Sequence, residues 1–372
     1  MLAGLNEDLA LPLLLPRPKI SKRGPFYDSV RGRRVLITGA GGSIGSELVV
    51  QVAASRPSHI TLADISELNL YEIDLTLNEG APDLSRSAAI LDVRAANAVR
   101  SLFHREMPDI VFHAAALKHV PLLETPHNLV EAVLTNFAGT KHIADHCASI
   151  GAEMVLVSTD KAVYPTSTMG QTKRLAELYM QAVARSRPNN GFSQVRFGNV
   201  IGSSGSVVPL FRRQIAQGGP VTVTHPEMTR YMMSIKQAVG LVLAASELQH
   251  RNPQHYGLYI LDMGDPVRII DLAEQLIRLA GRQPHTDVEI EIVGMRPGEK
   301  LHEELVYPWE NLQPTEVQGV RVAQPQPGGG LDVEDFYEVY HNATRRSPEA
   351  VRKAMEHVLG GALSSLGAQE CN

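Results

Sequence analysis

Short apolar runs rich in β-branched residues alternate with amphipathic segments through the first half of the chain. The apolar runs predict six strands, at residues 35–38, 59–63, 88–91, 110–114, 154–158 and 194–197. The segments between them have a helical period and predict helices near 45–55, 67–77, 95–105, 128–149 and 168–187. This alternation is typical of a parallel sheet that is covered by helices on both faces.

After about residue 199 the alternation loosens, and a second, smaller region is predicted. Its helices are predicted at 207–217, 234–249, 267–280, 331–343 and 347–358, and its strands at 221–224 and 288–293. The expected fold class is α/β, a Rossmann-type doubly wound parallel sheet with a smaller C-terminal α/β substrate-binding region.

The same patterns suggest a division of the chain into parts. We assign residues 31–200 to a dinucleotide-binding core, to which 234–262 return, and residues 201–233 and 263–372 to the substrate region. Residues 1–30 contain four prolines and a basic cluster and are predicted to be an arm or linker. A run of Gln, Pro and Gly at 324–330 is predicted to be a flexible connection.

The composition is that of an ordinary globular protein, with 44% hydrophobic and 20% charged residues. A formal net charge of −5 provides no global positive field for nucleic acid or an anionic membrane. Cys147 and Cys371 are far apart, which argues against a disulfide framework and fits a reducing compartment. The apolar run at 9–15 is interrupted by Pro12 and is too short to span a bilayer.

A glycine-rich turn between the first predicted strand and helix indicates a dinucleotide site. It consists of Gly39, Gly41, Gly42, Ser43, Ile44 and Gly45. The glycines permit close approach to a pyrophosphate, and the helix N-terminus supplies N–H groups. Asp64 follows at about the expected 20 residues, where its carboxylate can bind both ribose hydroxyls of NAD and repel the 2′-phosphate of NADP. The alternatives are a plain turn and, for Asp64, a helix cap.

Two further strand ends are expected to contact the cofactor. Asp92 and Val93 end the third strand and are placed to meet the adenine. Ala114, Ala115 and Ala116 end the fourth strand, where small side chains let the cofactor approach the backbone.

The candidate reacting residues follow the fifth strand. Thr159, Asp160 and Lys161 leave its carboxyl end, where open α/β sheets bind ligands. Met169 and Lys173 are four residues apart and share one face of the next helix, from which Lys173 can reach a nicotinamide ribose. A solvated helix charge and a surface ion pair are the alternatives, and the position after this strand disfavours both.

These residues resemble the short-chain dehydrogenase/reductase superfamily, with Met169 at the position of its usual Tyr. More narrowly, the chain resembles the extended nucleotide-sugar 4,6-dehydratases of the polysaccharide-biosynthesis branch, which act on UDP-N-acetylglucosamine. The most specific runs are 196–209 and 296–300, and the resemblance extends from residue 31 to about 323. It also adds Asn136, a helix residue that is usually structural in this superfamily, to the cofactor site.

The resemblance implies a three-step reaction. Hydride leaves sugar C4 for NAD, a base removes the C5 proton while water departs from C6, and hydride returns to C6. Thr159–Lys161 stands where the hexose dehydratases have Thr-Asp-Glu, so Asp160 is the expected acid and Lys161 the expected C5 base. Moving a lysine pKa from about 10.4 to near 7 requires roughly 4–5 kcal/mol. Burial, Lys173 and the nicotinamide favour that change, and Asp160 opposes it.

Two details of this chemistry follow from Met169. Met169 cannot deprotonate the C4 hydroxyl, so Thr159, a water and neutral Lys173 stay open as candidates. Met-type members of the family are thought to retain the C5 configuration and Tyr-type members to invert it, so retention is expected.

The resemblance also implies a set of substrate contacts: Lys118, Asn199, Val208, Arg230, Arg296 and Glu299. Arginines can hold phosphates through two N–H groups, Glu299 can accept from ribose hydroxyls, and the helix that opens near Val208 can add its dipole. The alternative for each is an ordinary polar contact. No metal site is expected, since His142 and His146 lack a third ligand and are predicted to lie on a solvated helix face. Residues 302–304 are likewise predicted to lie at the surface.

The resemblance finally implies partners and location. A homodimer or higher homo-oligomer is expected, formed through the helices near 128–149 and 168–187. The chain is expected in the cytoplasm. Because many relatives carry N-terminal membrane helices, it is expected either alone or as the cytoplasmic part of an anchored protein. Its product is expected to serve bacterial surface glycans. The rival functions are a UDP-sugar C4 epimerase, which normally needs the Tyr, and a dinucleotide-binding protein without turnover.

Overall fold

The computed structural model describes residues 27–323 and 330–367. Most of the predicted arm, the connection predicted at 324–330 apart from Gly330, and Cys371 lie outside the described residues. Residues 27–30 pack on the folded core, where the Tyr27 hydroxyl donates to the Gly240 carbonyl over 3.0 Å and Val30 is fully buried.

Fifteen strands are present in the described residues. They are β1 Arg34–Thr38, β2 His59–Asp64, β3 Arg86–Ile90, β4 Ile110–His113, β5 Glu153–Val157, β6 Phe192–Arg196, β7 Asn199–Ile201, β8 Val221–Val223, β9 Thr229–Arg230, β10 Met232–Ser234, β11 Gly257–Leu261, β12 Val267–Arg268, β13 Ile290–Ile292, β14 Leu312–Pro314 and β15 Val320–Ala323.

Helices alternate with the strands in the first half of the chain, as predicted, whereas β7, β9, β10, β11, β12, β14 and β15 were not predicted. The helices are α1 Ser43–Ala54, α2 Glu67–Gly80, α3 Ala96–Glu106, α4 Val120–Leu123, α5 Pro126–Ala132, α6 Gly139–Ile150, α7 Thr168–Ser186, α8 Val207–Ala216, α9 Ile235–Arg251, α10 Ile269–Leu279, α11 Tyr337–Thr344 and α12 Pro348–Gly367. A π-helical segment, Val133–Ala138, joins α5 to α6, and 3₁₀ turns occupy Asp160–Ala162 and Val333–Phe336.

A nine-stranded sheet forms the centre of the fold, in the order β14-β15-β11-β6-β5-β4-β1-β2-β3. The seven strands from β11 to β3 are parallel, and β15 and β14 are added antiparallel at one edge. Most of the central strands are buried along their whole length, which explains why they are continuous apolar runs. This arrangement is the doubly wound α/β sheet expected from the sequence.

Helices cover both faces of this sheet. On one face α1, α2 and α9 bury an apolar cluster that includes Leu48, Ile73 and Val242. On the other face α3, α5, α6 and α7 bury a second cluster that includes Phe103 and Leu175. Each fully buried large apolar side chain stabilises the fold by roughly 1.5–3 kcal/mol.

The C-terminal helices α11 and α12 pack on this second helical layer, although the sequence assigns them to the substrate region. Phe336, just before α11, is 1% exposed, and its ring lies 5.8 Å from that of Phe137 and 5.3 Å from that of Tyr179. The apolar residues of α11 and α12 belong to the same buried cluster as those of α5 and α7, and α12 contacts both of these helices. The C-terminal helices therefore cover part of the surface expected to form a dimer, and a homo-oligomer stays a prediction.

His142 is part of the same packing and does not lie on a solvated face, so that prediction was wrong. Its Nδ1 lies 2.9 Å from the Val93 carbonyl oxygen, and its Nε2 lies 3.0 Å from the Tyr340 hydroxyl. The ring is 7% exposed because α11 covers it.

The smaller region contains α8, α10 and three two-stranded sheets, β7 with β10, β9 with β12, and β8 with β13. An apolar cluster including Val208, Phe211 and Leu272 fills the space between α8 and α10. None of the helices within residues 27–323 and 330–367 is long and apolar enough to cross a bilayer.

Candidate active site

The glycine-rich turn between β1 and α1 forms a cradle that only glycines can line. Gly39 has φ +68°, and a Cβ there would lie 2.7 Å from the Ala115 nitrogen. A Cβ on Gly45 would overlap the Gly39 carbonyl oxygen, and one on Gly41 would overlap Asn69. The turn leads into the start of α1, whose N-cap residue, Gly42, has no side chain that could cap the first turn. Uncapped first-turn N–H groups after such a turn fit the pyrophosphate of a dinucleotide.

The Asp64 carboxylate lies at the end of β2 and braces this turn. Its Oδ2 accepts from the Gly41 N–H and its Oδ1 from the Ser66 N–H, each over 2.9 Å. The side chain therefore both supports the cradle and organises the start of α2.

Asp92 and Asn136, which the sequence assigns to the cofactor site, have protein partners. The Asp92 carboxylate binds the Arg94 guanidinium over 2.6 Å, and these hydrogen bonds lower the pKa of the Asp92 carboxyl. Asn136 accepts from the Leu117 N–H over 2.7 Å and donates to the Leu117 carbonyl over 2.9 Å. Asn136 thus holds the loop after β4.

The remaining residues proposed for the cofactor lie along the same edge. Val93 packs against Gly139, where a Cβ would lie 2.7 Å from a Val93 methyl group. Ala114 and Ala115 are half-buried and Ala116 is exposed, in the loop that leaves β4 beside the cradle.

Asp160 and Lys161 form a close ion pair directly after β5. Lys161 Nζ lies 2.9 Å from Asp160 Oδ1 and 3.0 Å from Asn199 Oδ1. Thr159 Oγ1 donates to the same Asp160 oxygen over 2.8 Å. Asp160 is fully buried, and its Oδ2 has no hydrogen-bond partner among the described residues. The pair combines an ammonium with a carboxylate that still has a free oxygen.

Carboxylates control the charge on Lys161. Burial acts to lower the pKa of Lys161, but the carboxylates of Asp160 and Glu303 outweigh burial, and the pKa lies above its ordinary value. The low pKa that the elimination requires of Lys161 is therefore not present in the protein alone, because the Glu303 carboxylate lies beside Nζ in addition to that of Asp160.

Lys173 is buried on α7 below the same strand end. Its Nζ donates to the Val157 carbonyl over 2.7 Å, and burial, opposed by Glu177, lowers the pKa of Lys173 to about 8. Four residues earlier, the Met169 side chain is 4% exposed and packs against Leu123 and Ala132. An apolar side chain without an exchangeable proton thus occupies the position of the superfamily Tyr.

A cleft of about 400 Å³ lies between this site and the smaller region. Lys161 is part of its wall. So are five of the six residues proposed to bind substrate: Lys118, Asn199, Arg230, Arg296 and Glu299. The Val208 side chain does not line it, since Val208 is buried in the α8–α10 cluster while Val207 faces the cleft.

Arg230 is less free to bind a phosphate than the sequence suggests. It is 7% exposed and donates to the Thr229 carbonyl over 2.7 Å and to the Lys300 carbonyl over 2.9 Å. It therefore fastens the 296–303 loop to β9, whereas Arg296 is exposed at the cleft and Glu299 Oε2 accepts from its N–H over 3.1 Å.

Two charged residues of the cleft wall, Glu303 and Lys300, were missed by sequence reasoning. Glu303 was predicted to lie at the surface, which was wrong, because it is 7% exposed and its Oε1 lies 3.5 Å from Lys161 Nζ. Lys300 also lines the cleft and donates to the Val163 carbonyl over 2.6 Å. The loop has no periodic pattern that could have predicted these positions. The only signal in the sequence was that Lys300 ends the specific run 296–300 and that Glu303 follows it by three residues.

The chain is similar to several known proteins. The probable polysaccharide biosynthesis protein EpsC of Bacillus subtilis is 44% identical over 79% of this chain, which spans 47% of EpsC, about half its length. The UDP-N-acetylglucosamine 4,6-dehydratase (inverting) of Campylobacter jejuni is 33% identical over 74% of this chain and 78% of its own. A UDP-glucose 4-epimerase of Rickettsia bellii is 32% identical over 87% of this chain and 95% of its own.

The fold comparison points in the same direction. The X-ray structure of Pen from Bacillus thuringiensis superposes with a TM-score of 0.71 and 31% identity, covering 82% of this chain and 91% of Pen. The family described as polysaccharide biosynthesis protein matches residues 35–325. The chain therefore belongs to the polysaccharide biosynthesis protein family, within the extended short-chain dehydrogenases/reductases.

Proposed function

We propose that the chain is an NAD-dependent UDP-N-acetylglucosamine 4,6-dehydratase that makes the UDP-4-keto-6-deoxy sugar with C5 configuration retained, for a bacterial surface glycan. One observation carries the proposal: Asp160 and Lys161 meet over 2.9 Å directly after β5, where Lys161 lines the cleft and Asp160 is fully buried. Neither an epimerase nor a binding protein needs an acid–base pair at that place.

The residues present fit NAD as the cofactor. The cradle from Gly39 to Gly45 holds the pyrophosphate, and the Asp64 carboxylate favours free ribose hydroxyls over a 2′-phosphate. When bound, NAD accepts a hydride and later returns it. Lys173 contributes positive charge below Val157 at the strand end where the sugar reacts.

The cleft wall fits an anionic sugar nucleotide. It contains five cationic side chains, those of Lys118, Lys161, Arg230, Arg296 and Lys300, against two carboxylates. Exposed Arg296 and Lys118 are the best placed to bind the diphosphate, since Arg230 already donates to backbone carbonyls.

The close pair can supply both protons of the elimination. Transfer of one proton from Lys161 Nζ to Asp160 produces an amine and a carboxylic acid, which are the forms the reaction needs. The amine then takes the C5 proton, the electrons of that bond form a C5–C6 double bond, and the C6–O bond breaks as the acid protonates the departing hydroxyl. This step restores the ammonium and the carboxylate. The Lys161 ammonium can then return a proton to C5 as the product forms, and the proton released by the C4 hydroxyl replaces it on the pair before another turnover.

The proton of the C4 hydroxyl has three candidate acceptors. Buried Met169 has no basic atom and is not a candidate. The first candidate is Thr159, which hydrogen-bonds Asp160. The second is Lys173, because burial lowers its pKa to about 8 and a fraction of it is therefore neutral at neutral pH. A water is the third.

Incubation with UDP-N-acetylglucosamine and NAD in D2O, followed by mass spectrometry and NMR, tests the proposal. A dehydratase forms a product that has lost one water and carries deuterium at C5, with retained configuration. Product of unchanged mass and inverted C4 would instead establish the epimerase activity that the Rickettsia relative is named for. Absence of any product with several UDP-sugars would leave a binding protein.

A variant tests the role of Lys161 within that reaction. Lys161→Ala should abolish dehydration while hydride transfer still produces bound NADH, which absorbs near 340 nm. The matched control is Lys353→Ala, at an exposed lysine remote from the cleft wall, which should keep normal turnover. Normal dehydration by Lys161→Ala would overturn the assigned role.

A further inference from the structure

We propose that Glu303 is a positioning residue of this site, whose carboxylate stabilises the positive charge that forms on Lys161 Nζ when it takes the C5 proton. The proposal rests on the proposed function, since it names the group that acts on the elimination base.

Glu303 is buried where a carboxylate is costly. Its side chain is 3% exposed and lines the cleft, with Oε1 3.5 Å from Lys161 Nζ and 3.9 Å from Arg230 Nε. Its Oε2 lies 4.0 Å from Lys300 Nζ and has no hydrogen-bond partner among the described residues. Removing a carboxylate from water costs several kcal/mol unless partners compensate, so an unpaired oxygen at this place calls for an explanation.

A purely structural carboxylate in this protein looks different. Glu310, seven residues further along the chain, accepts from the Arg196 guanidinium over 2.7 Å and from the Tyr307 N–H over 2.9 Å. Within the described part of the chain, Glu303 makes only looser ion pairs, at 3.5–4.0 Å, and they involve cleft residues. A carboxylate kept at such distances interacts mainly through its charge, and Lys161 is the nearest cation.

The charges that face Lys161 show what Glu303 contributes. Asp160 precedes it on the same turn, Glu303 and Lys300 face it from the 296–303 loop, and Arg230 faces it from β9. When Asp160 holds the shared proton, Asp160 is neutral and Glu303 is the nearest carboxylate to Nζ. Glu303 therefore makes the neutral amine a stronger proton acceptor for C5–H, and itself neither gains nor loses a proton.

Glu303→Gln removes the charge and preserves the shape of the side chain. The exposed neighbour Glu304 provides the matched control, Glu304→Gln, and Glu303→Asp keeps the charge. In the full chain without substrate, labelling of Lys161 by an amine reagent is followed against pH by mass spectrometry. The midpoint should fall by about one pH unit in Glu303→Gln, about a tenfold change in reactive amine, and should stay within about 0.3 unit in Glu304→Gln.

The kinetic readout separates proton transfer from binding. Formation of bound NADH should be unchanged in Glu303→Gln, with KM within about twofold. Because loss of the carboxylate makes the Lys161 amine about tenfold more abundant and only partly less basic, kcat for dehydration should rise by about threefold, and Glu303→Asp should keep kcat near that of the wild type. An unmoved labelling midpoint, or equal changes in hydride transfer and dehydration, would overturn the proposal. A shifted midpoint in a protein that dehydrates no UDP-sugar would instead support the Lys161–Glu303 coupling and refute the proposed function.

Discussion

The Arg196 guanidinium donates to both carboxylate oxygens of Glu177, over 2.7 Å each, and both side chains are fully buried. Ser158 Oγ donates to the same carboxylate over 2.7 Å, and Arg196 also binds Glu310. This network joins α7, β6 and the loop that carries Glu303 to the residue directly before the Thr159–Lys161 run. It therefore supports the reacting residues without contacting the cleft.

Removal of one partner of this network should cost much of the stability. Glu177→Leu leaves Glu310 as the remaining carboxylate beside the buried Arg196, and breaking a buried pair in this way typically costs about 3–5 kcal/mol. Urea denaturation at neutral pH measures the change in the free energy of unfolding. Glu316→Leu, which breaks the exposed pair with Arg251, should change it by less than about 1 kcal/mol. Equal losses in the two variants would contradict the assigned importance of burial.

Substitution at Gly45 should damage the cradle. The new methyl group of Gly45→Ala would overlap the Gly39 carbonyl oxygen, so the turn must move, and NAD binding should weaken at least about tenfold. Titration calorimetry measures that affinity. The control is Gly80→Ala at the end of α2, where nothing lies within 4 Å of the added Cβ and NAD affinity should stay the same. Full NAD affinity in Gly45→Ala would show that the cradle does not bind the pyrophosphate.

Much of the sheet was predictable from the sequence where its strands are buried on both sides, although β11, which is buried along its whole length, was not among the predicted strands. The strands β1 and β4 are continuous apolar runs for that reason, and the turn at Gly39 has a glycine pattern that few other structures need. The edge strand β14 was not predicted, because it is only three residues long, ends in a proline and shows no alternation of apolar and polar positions. The packing of Phe336 was equally unpredictable, since an apolar helix face shows that it is buried but not which surface covers it.

The candidate site divides in the same way. Asp160 and Lys161 were predictable because adjacency in the chain and position after a strand place them together. Glu303 reaches Lys161 only through the packing of an irregular loop across 142 residues of chain, which no spacing rule describes. Val208 was predicted to face the cleft, whereas its neighbour Val207 does so and Val208 faces the apolar cluster. A shift of one residue along a helix is enough to exchange these two faces.

The buried Lys173 should make stability depend on pH. Burial lowers its pKa to about 8 in the folded chain, whereas a lysine in the unfolded chain titrates near 10.4. Between these values the unfolded state binds more protons, so the contribution of this residue to stability rises with pH and is lowest below pH 8. The free energy of unfolding of the wild type, minus that of Lys173→Met, should rise by about 2–3 kcal/mol between pH 8 and pH 10.

Subtraction of the Lys173→Met variant removes the other groups that titrate at high pH. Lys353→Met, at an exposed lysine, should give a difference that is flat within about 0.5 kcal/mol over the same range. A flat difference for Lys173→Met as well would show that this ammonium is solvated in the folded chain.

The docking of the C-terminal helices should depend on Phe336. The ring is 1% exposed between Phe137 and Tyr179, so Phe336→Ala should cost about 3–5 kcal/mol if α11 and α12 unfold together with the core. Tyr337→Ala, one residue further and 59% exposed, is the matched control and should change stability by less than about 0.5 kcal/mol. Urea denaturation measures both, and light scattering shows whether the surface uncovered on α5 and α7 then binds a second copy. A Phe336→Ala protein with wild-type stability would mean that these helices are not held on the core by this contact.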